Sequence, residues 1–160
     1  MAVHVIAAIA LAQAATPAPP PCGAPEYHQF DFWAGRWDVY NRAGRLVAHS
    51  LIEAVYGCGI RENWMPLNNQ PGGSLSIYVP AEKRWEQFWI DSSGSRAVFT
   101  GGWTGSAMVI EGKWGGPIVR MTYSKNGDGS VRQFGESSTD DGRTWTPSFD
   151  FTYRPAKAGS

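Results

Sequence analysis

The chain has 160 residues, with 14 basic and 14 acidic side chains and a formal net charge of zero. That length argues for one domain. The charges are scattered without a basic stripe, so neither nucleic acid nor an anionic membrane surface is an expected partner.

Residues 1–15 differ in kind from the rest. Val5 to Leu11 is a short apolar run, followed by Ala12-Gln13-Ala14, a small-residue site of the A-x-A type. Only His4 precedes the run where a basic residue is usual. The run is too short to span a bilayer, so it reads as a secretion signal, and no transmembrane span is expected. Residues 16–25, with Thr16-Pro17-Ala18-Pro19-Pro20-Pro21, read as a stiff proline-rich linker. In a secreted chain the two cysteines, Cys22 and Cys58, read first as a disulfide tying this linker to the strand region. A metal site is disfavoured, because neither cysteine has a C-x-x-C partner and no histidine lies beyond His49.

The domain proper is expected over 26–155, with 156–160 as a disordered tail. It opens with Phe30, Trp33 and Trp37 at helical spacing, which predicts one or two helical turns. From Arg36 the period changes to two. Segments rich in Val, Ile, Tyr, Trp and Thr alternate with Gly, Asn, Asp and Pro punctuation, predicting strands near 36–41, 45–56, 59–65, 74–79, 84–91, 96–103, 106–112, 117–124, 130–138 and 144–154. Asn41 to Gly44, Asn126 to Gly129 and Asp140 to Gly142 supply residues that tolerate positive φ, as hairpin turns require. Pro66 to Gly73 is a longer polar loop, placed to hang over one end. No crossover helix is present in the pattern, so the sheet is expected to be antiparallel. An open meander would leave two edges, and closure removes them. The expected fold is all-β: a single antiparallel up-and-down barrel of eight to ten strands, with an interior filled by side chains or holding one small ligand.

The triplet Gly35-Arg36-Trp37, after a helical turn and entering the first strand, resembles the lipocalin and calycin superfamily. The resemblance implies that Trp37 plugs the closed end of the barrel and that an arginine near the C-terminus, here Arg154, stacks across it. On a longer span, Phe30-Asp-Phe-Trp-x-Gly-x-Trp37, Glu62-Asn-Trp64, Ser76-Ile-Tyr78, Trp85-Glu-Gln87-Phe-Trp89-Ile-Asp91 and Asp140-Asp-Gly142-Arg-Thr-Trp145 look like a family of secreted bacterial proteins of unknown function. That likeness implies a lipocalin-like barrel in the bacterial periplasm and brings no substrate or catalytic residue.

Within 84–91, alternation puts Trp85, Gln87, Trp89 and Asp91 on one face and Arg84, Glu86, Phe88 and Ile90 on the other. If Arg84 and Glu86 face water, the first face points into the barrel. Flat apolar walls with a few polar groups suit a ligand site, and a cross-strand aromatic ladder filling space is the bland alternative. Trp64, Tyr78, Trp85, Gln87, Trp89 and Asp91 are the candidate lining for a small apolar or aromatic ligand. Glu62 lies between Ile60 and Trp64 and, like Asp91, can face either side. Arg120 and Thr122 are expected on the solvent face.

Enzymatic signatures are sparse. There is no G-x-S-x-G elbow, and His28 and His49 have no evident nucleophile partner. No histidine on a late strand is available to ligate haem, and the Gly-Gly pairs lack the helix that phosphate cradles need. No cofactor is expected. Two rivals to ligand binding remain. One is a small enzyme using Asp91 or Glu62 as acid or base. The other is a filled barrel acting as an envelope interaction module, with an exposed apolar patch and no cavity. Finally, Ser138-x-Asp140-x-Gly142-x-x-Trp145 resembles the Asp box of sialidase-type propellers. A propeller repeats such units and this chain holds one copy, so Asp140, Gly142 and Trp145 are expected to form a hairpin corner.

Overall fold

The computed structural model describes residues 22–157. The expected signal segment, most of the expected linker and the end of the expected tail lie outside the described residues. Two short 3₁₀ helices, Pro25–His28 and Asp31–Trp33, lead into ten strands. These are β1 (Gly35–Asn41), β2 (Leu46–Val55), β3 (Gly59–Pro66), β4 (Gly72–Val79), β5 (Arg84–Asp91), β6 (Arg96–Trp103), β7 (Met108–Lys113), β8 (Ile118–Lys125), β9 (Val131–Ser138) and β10 (Thr146–Pro155). Each strand pairs antiparallel with its neighbour in sequence, and β1 pairs with β10 to close the barrel.

The hairpin turns use the chemistry their residues carry. Asn41 accepts the Gly44 amide through its backbone oxygen and the Ala43 and Arg45 amides through Oδ1, with Gly44 at φ 74°. The Asp-box spelling is likewise a corner, joining β9 to β10. Asp140 Oδ1 accepts from Ser138 Oγ and from the Thr144 amide, both at 2.8 Å, and Trp145 Nε1 donates to the Gly142 carbonyl at 3.0 Å. The Thr144 hydroxyl and amide, then Ser138, hold the Asp140 carboxyl down to about 2. Arg120 from β8 lies 3.8 Å over the Trp145 ring, outside the barrel.

The two ends of the barrel differ. The N-terminal 3₁₀ segment folds into one of them. Phe30 and Trp33 stack at 4.9 Å and are almost fully buried, with Trp33 also against Tyr123 and Tyr153. Around them Tyr27 meets Tyr78, Phe32 meets Trp103, and Gln29 Oε1 accepts from Trp85 Nε1 at 3.2 Å. Trp37 is buried beside this plug and its Nε1 donates to the Trp33 carbonyl at 2.9 Å. Gly35 keeps room for that ring, since a Cβ there would lie 2.9 Å from it. Cys22 and Cys58 form a disulfide that fastens the start of the plug to the β2–β3 turn. The chain is thus stapled to its own closed end.

Contrary to the stacking that the lipocalin resemblance implies, Arg154 does not lie across Trp37; it sits 5.0 Å over Tyr40. Trp37 and Val39 on β1 point inward, so Asp38 and Tyr40 point outward, and Arg154 pairs with Asp38 in register on the outer side.

The outer wall carries ion pairs between neighbouring strands, Arg61 with Glu53, Arg120 with Glu111 and Arg132 with Asp150, and a hydrogen bond between His49 Nδ1 and Asp38 Oδ1 at 2.8 Å. Such exposed pairs add little stability. Among the described residues no helix is long and apolar enough to cross a membrane. The outer face of β4 to β6 does expose a row of apolar side chains, Leu75, Ile77, Phe88, Ile90 and Val98.

Candidate functional site

With one end plugged, the β3–β4 loop and the β5–β6 and β7–β8 turns frame the other. Below them lies a cavity of about 230 Å³. Its upper walls are aromatic: Trp64 from β3, Trp89 from β5, Trp114 from the β7–β8 turn, and Phe149 and Phe151 from β10. Asn69, from the polar β3–β4 loop, reaches the mouth. Two glycines make this crowding possible. A Cβ on Gly72 would lie 2.7 Å from the Trp89 ring, and one on Gly135 would lie 2.3 Å from the Phe149 ring. The register of β10 also shifts between Pro147 and Phe149. A bulge re-aims side chains, and here Phe149, Phe151 and Tyr153 follow on the inward side.

The floor is polar, which is unusual for the middle of a barrel core. Tyr153 Oη donates to Gln133 Oε1 at 2.7 Å, and Gln133 Nε2 donates to Tyr123 Oη at 2.9 Å and contacts Met121 Sδ at 3.3 Å. Gln87 Nε2 donates to Ser76 Oγ at 3.0 Å. Both tyrosine phenols are pushed up by burial and by the nearby Glu62 carboxyl, so they stay neutral.

Glu62 is the outlier. It is only 7% exposed and lines the cavity. Ser74 Oγ donates to its Oε2 at 3.0 Å. Ser50 lies close enough to ease its charge, although its buried Oγ makes no hydrogen bond of ordinary geometry. No lysine, arginine or histidine lines the cavity. A buried carboxylate without a cation is costly, and burial pushes this one up to about 7 against the pull of the two serines.

That displacement has a sign that can be measured. The folded chain holds the Glu62 proton to about pH 7, whereas an unfolded glutamate releases it near pH ~4.3. The stabilisation is full below the lower value and is lost as pH rises through the higher one. Between pH 5 and 8 the wild-type chain is expected to lose about 2–3 kcal/mol relative to Glu62→Gln. Urea unfolding of both proteins at the two pH values checks this; parallel pH responses would mean that the carboxyl is not buried.

The structure separates the six candidate lining residues. Trp64, Gln87 and Trp89 come together around the cavity. Trp85, 1% exposed, and Tyr78 lie at the other end, against Phe30 and Tyr27, where they seat the plug. Asp91 is on the rim, accepting from Ser93 Oγ and the Ser93 amide and from Trp89 Nε1, contacts that lower its pKa with Ser93 foremost. It shapes a turn and does not enter the lumen. Arg120 and Thr122 are on the outer side of β8, where Arg120 pairs with Glu111. Several lining residues were not among the candidates. The alternation of Met121 and Tyr123, and of Gln133 along β9, carries a signal for them, but Trp114 stands in a turn outside any period. Among the described residues no cluster of His, Cys, Asp and Glu could hold a metal ion.

Comparison with protein-family models and with curated proteins gives no match for this chain.

Proposed function

We propose that the protein is a secreted, lipocalin-like barrel of the periplasm that binds a small apolar or aromatic ligand in its lumen. The observation that carries this reading is the cavity itself: aromatic walls around a polar floor, open at one end of a barrel whose other end is plugged and stapled. Ligand sites combine apolar enclosure with a few orienting polar groups, and an open-mouthed barrel supplies both. The disulfide fits an oxidising compartment. The volume is modest. An engineered cavity of about 150 Å³ accommodates benzene, so 230 Å³ suits one substituted ring or a compact aliphatic body.

Native mass spectrometry of the purified protein, with titration of a fluorescent lipophilic probe, tests this. A co-purifying small molecule, or saturable probe binding quenched by tryptophan, is expected. A barrel that carries nothing and binds no probe sinks the proposal.

A second reading rests on Glu62. A lumen carboxyl titrating near neutrality has the poise of a general acid or base. That reading expects two related compounds, substrate and product, to be recovered from the protein. A single unaltered ligand favours binding.

A further inference from the structure

The cavity is selective in charge as well as in shape. Gln133 spends its amide hydrogens on Tyr123 Oη and Met121 Sδ, and Tyr153 spends its hydroxyl on Gln133. The donors of the floor are therefore largely consumed within the protein. Acceptor capacity is left over. An ionised carboxylate offers roughly four lone-pair sites, and among the described residues Ser74 is the one donor of ordinary geometry on Glu62. Trp64, Trp89 and Trp114 line the same cavity, and aromatic rings attract cations, tryptophan most strongly. No cationic side chain lines the cavity to meet an anion.

Accepting the lumen as a ligand site, we infer that its ligand is a small organic cation, a protonated amine on an apolar body, with the ammonium against Glu62 and the body among Trp64, Trp89 and Trp114. Each element of the site favours that charge. The carboxylate gains the partner that its burial demands, cation–π attraction from the tryptophans adds to it, and a fatty acid or other carboxylate would meet the Glu62 charge with no cationic side chain to offset it. The titratable groups facing Glu62 are the phenols of Tyr123 on β8 and Tyr153 on β10, both held neutral; Ser74 on β4 and Ser50 on β2 do not ionise. Affinity for the amine should therefore rise as Glu62 loses its proton.

The test uses three probes of one shape: benzylamine, benzyl alcohol and benzoate, titrated into the full chain at pH 8 and read by tryptophan fluorescence and calorimetry. Benzylamine is expected to bind at least tenfold more tightly than benzyl alcohol, with benzoate weakest. Its advantage should shrink severalfold between pH 8 and pH 5 while the alcohol stays level. Glu62→Gln should bring the amine down to the level of the alcohol. Should that variant fail to fold, the wild-type pH series decides alone. Equal binding of amine and alcohol, tighter binding of benzoate, or an amine advantage that ignores pH and Glu62→Gln would overturn the inference and leave the lumen a neutral ligand site. Failure of all three probes, and of the lipophilic probe, would remove the lumen site itself.

Discussion

Replacing Trp33 by alanine is expected to destabilise the fold by about 3–5 kcal/mol, the cost of truncating a fully buried aromatic side chain. Trp33 has no exposed surface and joins Phe30, Tyr123 and Tyr153 in one aromatic cluster. Its indole nitrogen makes no hydrogen bond within the protein, so the loss is one of packing alone. In a domain of this size the melting temperature should fall by roughly 10–20 °C, measured by circular dichroism. Lys113→Ala is the control: Lys113 is exposed at the end of β7, and such surface changes stay within about 0.5 kcal/mol. A Trp33→Ala protein that melts with the wild type would show that the 3₁₀ segment is not part of the core.

Removing the Cys22–Cys58 bridge should cost about 3–4 kcal/mol in the chain-entropy model, because it closes a loop between residues 36 apart. The bond and the aromatic plug act on the same segment. Once Cys22 is released, the 3₁₀ helices are held to the barrel by Phe30, Trp33 and their neighbours alone. Thermal melts with and without reductant, in wild type and in Trp33→Ala, form a double cycle. Residues that hold one segment couple, so the two losses are expected to depart from additivity by more than the usual 0.5 kcal/mol or so of independent sites. A reductant-insensitive melting temperature would assign the anchoring to the aromatic contacts.

The strands were legible in the sequence because turn chemistry brackets them. Every predicted boundary lies within two residues of the strand observed, since Asn41, Gly94, Asn126 and Asp140 occupy turns that few other residues enter without strain. The parity of β5 stayed conditional in the sequence, on Arg84 and Glu86 facing water; in the structure Trp85 and Gln87 are its buried residues. Height along the barrel was not. Alternation assigns Trp85 and Trp89 to one face with equal force, but four residues of extended chain carry one to the plug and the other to the mouth. Only the position of the plug tells them apart, and that depends on contacts between the N-terminal segment and strands far along the chain. The same limit hid Phe149 and Phe151, whose facing depends on a register shift that no period announces. Glu62 was visible as a carboxylate in an apolar strand, yet its isolation from any cation is a property of all the surrounding strands together.

The seam between β1 and β10 differs from every other strand pair in its separation along the chain. Every other pairing joins strands consecutive in the chain, so the loops to be closed are short and their entropic cost is small. The seam alone brings residues more than a hundred positions apart into register, Trp37 with Pro155 and Asn41 with Phe151, and Ala156 continues it by donating to the Arg36 carbonyl. A meander can therefore form by successive local hairpins, with one long-range event left to complete it. The same seam brings Tyr153 against Trp33 and Trp64, so the closing strand pair, the plug and the cavity wall share side chains.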